Sequence, residues 1–107
     1  MANSTPNILW IGLDQIRFDT PGINGNSICK TPYIDRLAGE GVNFTRAYTT
    51  CSLCSPARAS MFTGQYAFRH GMGTNCDMYH SLSAELTHPE DLLHASFKKA
   101  GYAVGYA

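Results

Sequence analysis

The sequence predicts an α/β fold in which a parallel sheet carries flanking helices. Three stretches predict it. Residues 8–13, Ile-Leu-Trp-Ile-Gly-Leu, form a short continuous apolar run that stops at Asp14. That is the pattern of a strand buried on both faces. Residues 31–48 join a Pro-initiated amphipathic helix to an alternating run. Residues 87–107 read as a helix closed by Gly101 and followed by a second apolar run, the helix–strand step of a βαβ unit.

Composition narrows the function classes. A chain of 107 residues is the size of one small domain. Only 15% of it is charged, low for a free-standing surface. Eight basic residues balance eight acidic ones, so charge gives no reason to bind nucleic acid or an anionic membrane surface. No apolar run approaches the ~18 residues of a transmembrane helix. The N-terminus lacks a basic region and a signal-length apolar run. A cytoplasmic protein is therefore expected, unless an upstream signal is missing. The four cysteines, at 29, 51, 54 and 76, are expected to be reduced there rather than paired in two disulfides.

Taking the chain in order, Asp14 and Gln15 fall at the carboxyl end of the first expected strand, where ligands gather in open α/β sheets. A carboxylate and an amide oxygen suit a hard cation. A strand-ending turn with Asp as its cap explains the same residues, and the pair alone leaves both readings open. Residues 17–26 have loop composition, with Arg17 and Asp19 as a local ion pair or turn cap. At the next helix Thr31 is the expected cap and Pro32 takes the first position. Ile34, Leu37 and Ala38 form one apolar face, and Gly39 and Gly41 mark the end. Residues 42–48 alternate as a strand does.

Residues 51–64, Cys-Ser-Leu-Cys-Ser-Pro-Ala-Arg-Ala-Ser-Met-Phe-Thr-Gly, carry the chemistry. Ser55 is expected to cap a helix with Pro56 at its first position and Gly64 at its end. Cys54 would then sit just outside the helix N-terminus. Unsatisfied N–H groups and the helix dipole there favour a thiolate, an alkoxide or a bound oxyanion. Arg58, one turn further in, supplies a fixed positive charge suited to a sulfate or phosphate group. Cys51-x-x-Cys54 also has a redox or zinc reading. A zinc site wants a second ligand pair, and His70, Cys76, His80, His88 and His94 form no recognised pattern. A thioredoxin-like pair would precede a helix as this one does, so a thiol-redox or zinc-binding module stays as an alternative.

The stretch resembles the signature of the type I sulfatases, C-x-P-[SA]-R-x-x-x-[LMF]-T-G, at each named position from Cys54 to Gly64. Residues 31–48 are similar to a second pattern of that family, T-P-x-[IL]-D-x-L-A-x-x-G-x-x-F-x-x-A-Y. His70-Gly71 fits its H-G segment. The Asp14-Gln15 form, in place of the commoner Asp-Asp, is similar to that of phosphonate monoester hydrolases and related bacterial sulfatases. The resemblance implies an alkaline phosphatase-like (sulfatase) parallel-sheet sandwich with flanking helices. Residues 1–107 would be the N-terminal part of its catalytic domain, the remainder being absent.

It further implies hydrolysis of a small-molecule sulfate ester, arylsulfatase-like, with phosphate or phosphonate esters as further substrates, in a bacterial protein. Cys54 would be oxidised to formylglycine (3-oxoalanine) by a formylglycine-generating or sulfatase-maturing enzyme. The hydrated aldehyde would attack sulfur or phosphorus with one hydroxyl, and the second would help release the product. Asp14, Gln15 and residue 54 would hold a divalent metal, Ca2+ first, with Mn2+ or Mg2+ as alternatives. Arg58 would orient the formylglycine and stabilise its alkoxide. Asn75 lies where related hydrolases have a substrate-binding Asn. Arg69 and His70 read equally as packing residues or substrate contacts, and Asp77 and His80 are further candidates to line the pocket. Two metal ligands cannot complete the ~6 or more oxygens that calcium takes. This also implies an active site completed by further residues, an inert truncated fragment being the alternative. A homo-oligomer is a further possibility the family leaves open.

Overall fold

The computed structural model describes residues 5–76 and 85–106. Among these residues are four α-helices: α1 (Pro32–Glu40), α2 (Cys54–Thr63), α3 (Ala67–His70) and α4 (Leu93–Lys99). Short 3-10 turns occupy Gly22–Asn24 and Pro89–Asp91. The chain divides into two units, Met1–Thr45 and Arg46–Ala107.

The expected strands at 8–13, 42–48 and 102–107 are not formed among the described residues. The physical reason is pairing. A strand exists through ladder hydrogen bonds to a neighbour, and here the apolar runs stand open to solvent. Leu9 is 84% exposed, Phe44 74% and Tyr106 90%. Such runs have the composition of buried strands without a sheet to bury them.

In the first unit, α1 starts at Pro32, as its fixed φ favours. Thr31 takes the N-cap position but makes no side-chain cap bond, which corrects the expected capping role. Its hydroxyl instead accepts the Gly22 N–H at 2.8 Å and donates to Asp35 Oδ1 at 3.0 Å. Asp35 Oδ1 also accepts the Ile23 N–H at 2.8 Å. The N-cap residue of α1 and Asp35 within it thus satisfy the first amides of the 3-10 turn, which has no side-chain cap of its own. A Cβ on Gly22 would meet the Asp35 carboxylate at 2.6 Å, so this approach requires glycine. The Arg17–Asp19 pair forms as expected, exposed and bidentate, with bonds of 2.9 and 2.6 Å. The face of Ile34 and Leu37 is uncovered among the described residues.

In the second unit, α2 packs against α3 and α4. Among its described residues the buried ones are Pro56 and Ala59 of α2 together with His70 and Thr74. Gly64 ends α2 in the left-handed region, φ 69°, with its N–H on Ser60 O, as the sequence predicts. The helix expected from residue 87 begins later. His88 is kept out of the helical region before Pro89 (φ −135°, ψ 77°), a 3-10 turn follows, and Leu92 is extended before α4. The end of α4 is a Schellman motif. Gly101 has φ 87°, its N–H reaches Lys98 O, and Tyr102 N–H reaches Phe97 O. The Phe97 and Tyr102 rings meet edge to face at 5.2 Å, the apolar contact that accompanies such a cap.

Candidate functional site

Cys54 is the first residue of α2, not a residue outside it, and the N-cap is Leu53 (φ −86°, ψ 142°) without a side-chain cap bond. Ser55 and Pro56 are therefore the second and third helical residues. This shift of two positions changes the chemistry of the helix mouth. Ala57 N–H already bonds Leu53 O at 2.9 Å. Pro56 has no N–H to offer. The Ser55 N–H is accepted by Asn75 Oδ1 at 2.9 Å. The pool of unsatisfied amides expected near Cys54 is thus largely consumed by the protein itself.

Ser55 does not act as the expected N-cap. Its hydroxyl accepts the Cys76 N–H at 3.3 Å, and the cap comes from Asn75, twenty residues on. No local sequence signal announces that pairing. The segment carrying Asn75 is held by His70, which is 1% exposed. The Met72 N–H donates to His70 Nδ1 at 3.2 Å, and His70 Nε2 lies 3.0 Å from Ser60 Oγ on α2. Accepting at Nδ1 leaves the proton of the neutral ring on Nε2, so Nε2 donates to Ser60. Behind it, His70 O accepts both the N–H and the hydroxyl of Thr87. His70 is a packing residue in this structure, and Arg69 is exposed.

Cys54 and Arg58 are both exposed. They are four residues apart on α2 and share one face. The second unit thus brings together Cys54, Arg58 and Asn75 around the first turn of α2. No disulfide joins the four cysteines. Asp77 and His80 lie outside the described residues.

Asp14 and Gln15 form a bend in the first unit, both exposed. Gln15 has φ 52°, the single positive value at a non-glycine among the described residues. A left-handed Gln is uncommon and strained, a feature no composition argument shows. Two hard oxygen donors side by side suit Ca2+ or Mg2+. They supply part of a coordination shell, and among the described residues no group of three or more His, Cys, Asp or Glu stands ready to hold a metal. The same finding leaves a Cys51–Cys54 zinc site short of ligands among those residues.

The Sulfatase family model matches residues 6–107. The chain belongs to the sulfatase family. Its relatives include an ulvan-active sulfatase of Formosa agariphila, 41% identical over 94% of this chain and 18% of the relative's length. An arylsulfatase of Clostridium perfringens is 37% identical over 91% of this chain and 19% of its own length. The N-acetylgalactosamine-6-sulfatase of Mus musculus is 35% identical over 94% and 21%. This sulfatase chain therefore spans about a fifth of the length of the curated relatives it matches. No solved structure matches it. Among its described residues no helix is long and apolar enough to cross a membrane.

Proposed function

We propose that this chain is the N-terminal part of a sulfate-ester hydrolase whose reaction centre is Cys54. One observation carries the reading: Cys54 opens α2 with Arg58 one turn behind it on the same face, inside a family whose named relatives are sulfatases. The fold that goes with the reading is the alkaline phosphatase-like sheet sandwich. In it residues 8–13, 42–48 and 102–106 would become paired strands.

Cys54 is the residue to be converted to formylglycine, whose hydrated form supplies the attacking oxygen. Arg58 provides a permanent positive charge beside residue 54. Its fork of N–H donors matches the oxygens of a sulfate group and stabilises developing negative charge. The role of Arg58 is the larger because the helix amides are already engaged. Asn75 Oδ1 is committed to Ser55, so a substrate contact by Asn75 comes from its Nδ2 donors. Asp14 and Gln15 would hold a divalent metal, which when bound acidifies an oxygen nucleophile and offsets substrate charge. Aryl sulfates are the first substrate class to test. Phosphate and phosphonate esters follow from the same anion chemistry.

The test is turnover of an aryl sulfate by the full-length protein, co-expressed with a formylglycine-generating enzyme, together with peptide mapping of residue 54. The expected result is an aldehyde oxygen in place of the Cys54 thiol. Cys54→Ala should abolish turnover and Cys51→Ala retain most of it. Equal loss in both variants would sink the reading and support a dithiol or zinc site.

A further inference from the structure

We infer that Asn75 is a positioning residue for residue 54, acting through Ser55; the inference deepens the reading of Cys54 as the reaction centre. Two hydrogen bonds run in opposite directions between the segment 75–76 and Ser55. Asn75 Oδ1 accepts the Ser55 N–H at 2.9 Å, and Ser55 Oγ accepts the Cys76 N–H at 3.3 Å. The Ser55 N–H belongs to the peptide plane that also contains the carbonyl of Cys54. Fixing that plane fixes the backbone on which the reacting side chain stands.

The clamp has a firm footing. Its segment starts at the buried His70, which ties Ser60 of α2 to the Met72 amide, and passes through Thr74, 4% exposed. The segment therefore grips α2 at Ser60 and again at Ser55. The two points lie about 7.5 Å apart along the helix axis. Attachment at two points fixes both the position and the rotation of the first turn. Leu53 gives no side-chain cap, and an uncapped helix start ordinarily frays. Asn75 supplies the missing cap from a distant part of the chain. Reaction rates depend steeply on such placement of the reacting group.

The experiment compares the wild-type full-length protein with Asn75→Ala and Asn75→Asp, by amide hydrogen exchange at Ser55 and by steady-state kinetics on an aryl sulfate. In Asn75→Ala, Ser55 exchange should rise about tenfold, the effect of one lost hydrogen bond, while amides of α4 stay unchanged. Turnover should fall in kcat by about tenfold, any accompanying rise in KM reporting the separate loss of an Nδ2 contact to substrate. Asn75→Asp keeps the acceptor oxygen, so Ser55 exchange should stay slow in it. If Asn75→Ala does not fold, Asn75→Leu, close to Asn in size but without an acceptor, takes its place: fast Ser55 exchange supports the clamp and slow exchange overturns it. Unchanged Ser55 exchange in Asn75→Ala overturns it as well. A rise in KM alone would make Asn75 a substrate contact and end the positioning role. A wild-type protein without sulfatase turnover, but with the expected exchange pattern, would remove the sulfatase reading and leave the clamp standing.

Discussion

Glycines 64 and 71 separate two effects that single residues can have. Both adopt left-handed φ, 69° and 85°, at the ends of α2 and α3. A Cβ on Gly64 would meet nothing, whereas one on Gly71 would run into Thr87 Oγ1. Gly64→Ala should therefore cost only the backbone strain, about 1 kcal/mol. Gly71→Ala adds a clash against the residue that bonds His70, for about 2–4 kcal/mol in all. Thermal or denaturant unfolding of the two variants checks the difference. Gln15 poses a third case. Gln15→Gly relieves the strain of φ 52° but loosens the unfolded chain, so stability should stay within about 1 kcal/mol. Affinity for Ca2+, measured by titration, should fall because one oxygen donor is lost. The pair Asp14-Gln15 was legible in the sequence as a candidate site. The left-handed backbone was not, because it is a property of the bend and not of the residue type.

Helices show which local signals suffice. Pro32 and Gly64 announce the start of α1 and the end of α2, and the Lys98-Lys99-Ala-Gly101 sequence announces the end of α4. These are short-range effects of fixed φ, αL tolerance and the dipole. The start of α2 lies two residues before the one that local capping rules indicate. Its cap, Asn75, comes from another part of the chain, and local capping rules see only neighbours. The same limit applies to Thr31, whose hydroxyl accepts from the 3-10 turn and donates to the Asp35 side chain and caps no amide of α1. At the 3-10 turn before α4, Glu90's own backbone amide, and then His88 at 3.1 Å, hold its carboxyl below the ordinary glutamate range. A lowered carboxyl favours the folded state above the ordinary value. That support is lost as pH falls from the ordinary glutamate range through the folded value. Glu90 is fully exposed, so the effect is local. An NMR titration of its side chain should give a midpoint below that of a free glutamate.

At the scale of the whole molecule, the apolar runs and the proposed metal pair Asp14-Gln15 point to one requirement. Residues such as Leu9, Ile11, Phe44 and Tyr106 are strongly exposed, and two oxygen donors hold a divalent ion only in part. Both are completed in the proposed enzyme by the rest of a sulfatase domain. Turnover by the full-length protein should accordingly be lost on treatment with a chelator and return with added Ca2+. Recovery with no metal added would remove the metal from the proposal.

The sequence by itself determined the family, the candidate pair Cys54 and Arg58, the start of α1 and the ends of α2 and α4, because each rests on a contiguous pattern of side chains. Tertiary structure decided what surrounds Cys54. It placed Asn75 on the Ser55 amide and closed His70 between α2 and the following segment. Those choices pair groups far apart in the chain, and such pairings depend on packing that no local pattern encodes. The sheet belongs with them, since a strand becomes one only when another lies beside it.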